Sequence, residues 1–300
     1  MDDDVQRISR RRALALGGPI GLGALLAGCD STGGGAASVP PRPDPIATAA
    51  LALLDDAGTC RLTPELAQGP YWFDVDSIRS DIREDRAGVP LRLALRIHDV
   101  SRCQDRPVSD AVVEIWQCDA RGLYSGFGAR IPAPAGRPPL GWPNNRGGEP
   151  PAGNPTADPM GYSSPTSNGG YSRGDIEAST GGEGTYLRGA QATDADGIAQ
   201  FTTVYPGWYA GRTPHIHLKA YLNRTTILAT QLFLDDAVTD RIYATLPYSD
   251  HPDRDTRNAT DAMFTTAGLL TVRRHGDCYL AAANLGVAAA LPPGASGKAG

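Results

Sequence analysis

Lysine is nearly missing from this chain. Of its 28 basic residues only Lys219 and Lys298 are lysines, and against 33 acidic residues the 28 leave a formal charge of -5. No basic patch of the kind that neutralises phosphates can be drawn, so nucleic acid is excluded as a partner. The patterns HExxH and CxxC are absent, which removes a zinc hydrolase, a zinc ribbon and a thioredoxin-like redox centre from consideration. Apolar runs are short as well. The stretch Ala13 to Ala27 is interrupted by glycine and falls below the roughly 20 residues that cross a bilayer. In contrast, Gly and Pro are plentiful at 36 and 25 residues, which excludes coiled-coil and largely helical readings. With 300 residues the chain has room for one large domain or two small ones.

The N-terminus has the order of an export signal: Ser9-Arg10-Arg11-Arg12, a weakly apolar stretch, then Leu26-Ala27-Gly28-Cys29. The arginines resemble the twin-arginine signal and the last four residues resemble a bacterial lipoprotein box, cut before Cys29 and acylated on it. Residues 1–29 are therefore expected to be a signal ending at a lipid anchor, and the protein to be exported and held at a bacterial membrane or cell surface only through that lipid. Residues 30–57 read as a Gly/Ser- then Pro-rich tether with a possible short helix at 47–56. Residues 58–290 form the expected folded body, and 291–300 a disordered tail. Four cysteines remain in the exported chain, Cys60, Cys103, Cys118 and Cys278, an even number that predicts two disulfides of open pairing.

Within the body the signals are strands. Leu91, Leu93, Leu95 and Ile97 alternate with Arg92, Ala94, Arg96 and His98, the period that lays one face on a core. Short runs bounded by turn residues follow at Ala111 to Trp116, Ile198 to Val204, Ile216 to Leu222 and Thr226 to Leu234. The pattern predicts an all-β sandwich or barrel. Residues 128–184 are rich in Gly, Pro, Asn and Ser and read as a long loop that is either a functional wall or disordered.

Chemistry concentrates in Tyr205-Pro206-Gly207-Trp208-Tyr209-Ala210-Gly211-Arg212-Thr213-Pro214-His215-Ile216-His217. On a strand, His215 and His217 project together while Ile216 faces the other way. Alone, that pair fits a surface or core pair as well as two metal ligands. A second tyrosine-bearing segment, Val113-Glu114-Ile115-Trp116 through Leu123-Tyr124-Ser125, follows another strand. Tyr162 and Tyr186, in Gly-rich settings, read as loop packing. Trp72, Trp116 and Trp142 read as packing, and His98, His251 and His275 as solvated. Asp194-Ala195-Asp196-Gly197 reads as a turn between strands.

These segments together resemble the intradiol ring-cleaving dioxygenases, which hold non-haem ferric iron with two Tyr and two His. Four blocks between Cys60 and Phe233 carry the resemblance: Leu62-Thr63-Pro64-Glu65 through Gly69-Pro70-Tyr71; Glu114-Ile115-Trp116 to Tyr124-Ser125; Thr193-Asp194-Ala195-Asp196-Gly197 with Phe201-Thr202-Thr203; and Pro206-Gly207-Trp208-Tyr209 with Arg212 and His215-Ile216-His217. It implies a β-sandwich with long Gly/Pro-rich loops, Tyr124, Tyr209, His215 and His217 as ligands of Fe(III), and Arg212 as the cation beside the substrate anion. Gln231 matches a pocket glutamine, and Gly69, Pro70 and Tyr71 a segment that lines the substrate pocket; Trp208 reads as packing like the other tryptophans but is near enough to wall that pocket. The implied partners are a catechol-type aromatic diol and dioxygen, with an oligomer open; the implied product is a muconate-type diacid. Oxygen-rich ligation suits a hard trivalent ion. Of the two tyrosines in Tyr205 to Tyr209, Tyr205 ends a strand and is expected to pack, leaving Tyr209 for the metal. A second reading keeps the sandwich without turnover, as a surface-anchored binding module.

Overall fold

The computed structural model describes residues 44–57, 61–101, 106–127 and 166–288. The signal, Cys29 and the tether up to residue 43 lie outside them, as do Cys60, Cys103, Trp142, Tyr162, most of the 128–184 loop and the tail after residue 288. A helix α1 (Pro45–Asp56) precedes nine strands: β1 (Pro90–Asp99), β2 (Arg106–Pro107), β3 (Val112–Trp116), β4 (Arg188–Ala192), β5 (Ile198–Val204), β6 (His215–Leu222), β7 (Thr225–Phe233), β8 (Thr271–His275) and β9 (Cys278–Val287). A second helix, α2 (Asp236–Tyr243), follows β7.

The strands form two sheets. One runs β2-β1-β9-β8, with β5 also pairing along β1; the other runs β4-β3-β6-β7. Alternation decides how they stack. Leu91, Leu93, Leu95 and Ile97 of β1 and Ala281, Ala283, Leu285 and Val287 of β9 meet Val113 and Ile115 of β3 and Ile216, Leu218 and Ala220 of β6 in one buried cluster. This is the β-sandwich that the period of two predicts, and burying each large side chain in it contributes about 1.5–3 kcal/mol.

Each sheet's outer face is covered as well. On the first sheet, α1 lays Ala50, Leu53 and Leu54 over Ala94, Leu280 and Ala282. Asp44 caps the helix by accepting from Ile46 N at 2.9 Å, with Pro45 at its first turn. The short helix expected in the tether is thus the cover of this sheet. The same cover explains His98: the half-wet strand face expected there is buried, and its Nε2 lies 3.4 Å from Asn284 Oδ1. On the second sheet, the segments 64–76 and 166–178 overlie the outer face, giving the described part of the long Gly/Pro-rich loop the role of a wall. There Gln68 Nε2 donates to Ile176 O at 2.8 Å, and Ala178 N to Trp72 O at 2.7 Å. Asp194 makes the expected turn, its Oδ1 accepting from Asp196 N and Ile198 N at 3.0 and 2.9 Å.

Among the described residues no disulfide is formed, and Cys60 and Cys103 lie outside them. Cys118 and Cys278 are free thiols, and Cys118 instead sits buried with its Sγ 3.4 Å from Gly207 O. A small thiol in a tight backbone crossing behaves as an apolar filler.

Candidate metal centre

The second sheet carries its chemistry on the outer face. The register pairs Arg188 with Trp116, Trp116 with His217 and His217 with Gln231, so one row across four strands places these side chains on one side of the pleat. His215 shares that side one step along β6. The imidazole of His217 lies flat on Trp116, with ring centroids 4.9 Å apart and planes within 4°.

Two loops bring the tyrosines to this row. After β3, Asp119 Oδ1 accepts from Arg121 N and Leu123 N, and Asp119 O from Gly122 N, which closes a turn that aims Tyr124 at the histidines. Gly122 has φ +82°, and a Cβ there would overlap the carbonyl of Trp208, so only glycine allows the two tyrosine loops to cross this closely. Gly207 N donates to Asp119 O at 3.1 Å across the same crossing. Tyr209 follows the Pro206-Gly207 turn. Tyr205, before it, is buried in the sandwich core with its hydroxyl 2.7 Å from Thr239 Oγ1, well placed for packing.

Four donor atoms converge. Tyr209 Oη lies 3.2 Å from His215 Nε2, His215 Nε2 lies 3.1 Å from His217 Nε2, and His217 Nε2 lies 3.2 Å from Tyr124 Oη. Ligand atoms bonded to one cation at about 2.0–2.2 Å and near right angles sit about 3 Å apart, so the set fits a metal ion. His215 Nδ1 donates to Thr213 O at 2.7 Å, which leaves Nε2 as the lone-pair end. His217 Nδ1 has no hydrogen-bond partner, so no such bond fixes the tautomer of that ring. Among the described residues no group of three or more His, Cys, Asp or Glu could hold a metal, so any site here depends on the phenols.

The electrostatics point the same way. Burial, then the charge of Arg212, holds His215 well below the usual imidazole range; burial, then His215, does the same for His217. Burial pushes Tyr209 up to about 12 while Arg212 pulls it back, and pushes Tyr124 well above its ordinary value. Neutral imidazoles and unionised phenols therefore fill the site until a cation lowers the phenols. Cys118 is no competitor, since burial drives its thiol strongly upward.

Arg212 lies beside Tyr209 in a fixed attitude. Its Nε donates to Asp261 Oδ2 at 2.9 Å and its Nη2 to Gln231 Oε1, while Gln231 Nε2 donates to Ala67 O at 2.9 Å. Gly69 carries the covering segment over His217: a Cβ there would lie 3.0 Å from His217 Cε1. Tyr71 stacks on Tyr124 with centroids 4.6 Å apart and meets Tyr209 edge-on at 6.4 Å. Pro70 is exposed on that segment. Trp208 turns elsewhere, its ring 4.4 Å from that of His251 and its Nε1 donating to His251 O at 3.0 Å. His251 is thus a stacking partner and not the solvated side chain its loop suggests. Tyr186 lies under Arg86, its ring centroid 4.4 Å from the Arg86 Cζ.

Sequence reasoning missed Asp261 and Arg188. The buried Asp261 comes from the 250–264 loop, where it is one acid among several, and nothing local distinguishes it. Arg188 is fully buried on β4, donating from Nε to Ser125 Oγ at 2.8 Å and from Nη2 to Ser125 O at 3.0 Å.

No family model and no curated protein matches this chain. Solved structures do. The intradiol ring-cleavage dioxygenase from Tetranychus urticae is 28% identical over 76% of this chain and 94% of its own, with a TM-score of 0.57. A further dioxygenase structure is 28% identical over 76% and 95%, with a TM-score of 0.58. The dioxygenase domain of a dioxygenase and carbohydrate-binding fusion from Streptomyces sp. SirexAA-E is 24% identical over 75% and 97%, with a TM-score of 0.45. The chain has the β-sandwich of the intradiol dioxygenases. It is an enzyme of that type.

Proposed function

We propose that this protein cleaves a catechol-type diol between its two hydroxyl-bearing carbons, adding both atoms of dioxygen to give a muconate-type diacid. Tyr124, Tyr209, His215 and His217 hold Fe(III) in this reading, and the observation that carries it is the convergence of their four donor atoms at 3.1 to 3.2 Å. Bound ferric iron would supply three positive charges, matched by the Tyr124 phenolate and a doubly ionised catechol once Tyr209 has taken a substrate proton, and would make the bound ring reactive toward dioxygen. Both oxygen atoms end in the product, so no external reductant is consumed.

The chain's own groups do the rest. Tyr209, on a loop rather than a strand, is free to take the proton of one substrate hydroxyl. Arg212 has its Nε and Nη2 committed to Asp261 and Gln231, which leaves Nη1 as the donor aimed at negative charge on the substrate. Tyr71 and the backbone at Gly69 and Pro70 wall the space over Tyr124 and His217. Export through the Arg10-Arg11 signal, with a lipid on Cys29, is part of the same proposal and rests on the order of charge, apolar stretch and small residues there.

The test is purified protein loaded with ferric iron and supplied with catechol and dioxygen. Expected are a visible phenolate-to-iron band, uptake of one dioxygen per diol and a ring-opened diacid without aromatic absorbance. An extradiol product, or full turnover by Tyr124→Phe, would overturn the proposal. Loss of fatty-acid labelling in Cys29→Ala tests the anchor.

A further inference from the structure

The row of side chains next to the four donors is polar as well. On the outer face of the second sheet the register sets Glu114 of β3 opposite Lys219 of β6, one step along the same face from the pair Trp116 and His217. Both side chains are buried. Trp72, from the first covering segment, lies across them: its Nε1 donates to Glu114 Oε2 at 2.9 Å, and Lys219 Nζ stands 3.5 Å from the centre of its ring. The second covering segment meets the same two residues, with Tyr171 Oη donating to Glu114 Oε1 at 3.2 Å and Lys219 Nζ to Asp175 Oδ2 at 2.6 Å. Ala178 N donates to Trp72 O at 2.7 Å and ties the two segments together.

A carboxyl and an amine buried under a wall cost more than apolar side chains filling the same space, so packing alone does not account for them. Direction does. An indole on an apolar face is free to slide, whereas an N–H held on one carboxyl oxygen has one place to sit. The parts that Trp72 fixes lie just before it in the chain. Gly69 crosses His217, where a Cβ would come 3.0 Å from Cε1, and Tyr71 stacks on Tyr124 with centroids 4.6 Å apart. A slip of Trp72 would move the wall over the site.

We propose that Trp72 is a positioning residue, held in register by Glu114 and Lys219 so that Gly69, Pro70 and Tyr71 face the bound diol, with none of Trp72, Glu114 and Lys219 touching substrate. The inference rests on the ring-cleavage reading above and adds to it the device that sets the wall of the pocket. Its geometry involves no metal, so part of its test needs none.

The experiment compares full-length wild type, Trp72→Phe, Glu114→Leu and Glu114→Gln, with Leu53→Ala as a control that weakens the fold from the other sheet. Hydrogen exchange of the amides of residues 69–73 is followed in metal-free protein, and kcat and KM for catechol after ferric loading. A wall that contacts the ring alike before and during reaction contributes uniform binding, so its displacement raises KM and spares kcat, while loss of folded enzyme lowers the apparent kcat and spares KM. Trp72→Phe keeps a ring over Lys219 and deletes the N–H; exchange at 69–73 is expected to speed roughly tenfold relative to β3 and β6, and KM to rise roughly tenfold, with kcat within about threefold and ferric uptake unchanged. Glu114→Leu should do the same. Glu114→Gln still offers the indole an oxygen and should stay within a few-fold of wild type, and Leu53→Ala should leave KM unchanged. Trp72→Phe with either KM or exchange at its wild-type value overturns the inference, as does a folded Glu114→Gln that matches Glu114→Leu. If Glu114→Leu does not fold, Trp72→Phe decides alone. Wild-type protein without ferric uptake or turnover overturns the ring-cleavage reading and the inference with it; normal turnover with an indifferent Trp72→Phe overturns the inference only.

Discussion

Asp261 and Gln231 leave Arg212 one direction to point. Replacing Asp261 with Asn removes the charge and weakens the grip on Nε, so turnover is expected to fall on the order of 10²-fold while ferric uptake is retained, measurable as kcat/KM beside the visible band. Tyr209 and Tyr205 separate cleanly. Tyr209→Phe removes one of four converging donors and is expected to abolish turnover and move the band. Tyr205→Phe loses the bond to Thr239 at about 1 kcal/mol and keeps iron, colour and activity. Burial pushes Glu114 from 4.5 up to about 7, against the hydrogen bonds of Trp72 and Tyr221 that favour its charged form. A carboxyl whose pKa is raised on folding stabilises the protonated fold, so stability is fully present below about 4.5 and declines as pH rises to about 7. Glu114→Gln should flatten that stretch of the stability profile, by up to about 3 kcal/mol, in chemical unfolding from pH 4 to 8.

At the scale of elements, α1 and the centre lie on the outer faces of different sheets. Leu53→Ala is expected to cost about 2–5 kcal/mol, with the ferric band unchanged in the protein that remains folded. Five strands could be read in the sequence because one of their faces is apolar and turn residues bound them. β9 could not: under α1 on one side and in the core on the other, its Leu280 to Ala283 run is buried on both faces and shows no alternation. β4, Arg-Gly-Ala-Gln-Ala, lacks the β-branched and aromatic residues that mark a strand and is held by its pairing with β3. The four donors were legible through the resemblance of their segments; Asp261 and Arg188 were not, since a buried charge reads in sequence like a solvated one. The thiols follow the same logic. Even numbers of cysteine suggest pairs, yet Cys118 is enclosed by the tyrosine loops and Cys278 opens β9, so denatured, unreduced protein should titrate at least those two thiols.

Across the whole molecule, the outer face of the second sheet is a polar layer sealed from water, and Lys219 lies within it. Its side chain is wholly buried, 2.6 Å from Asp175 and 3.5 Å above the Trp72 ring. Only one other lysine, Lys298, exists in the chain. Amine chemistry therefore has very few targets here. An acylating reagent applied to native protein should spare Lys219, and modification of that residue should appear only as fast as the sheet and its covering segments come apart. Timed labelling read by peptide mass would turn a buried cation into a clock for opening: reagent-limited when the layer recloses quickly, opening-limited when it does not.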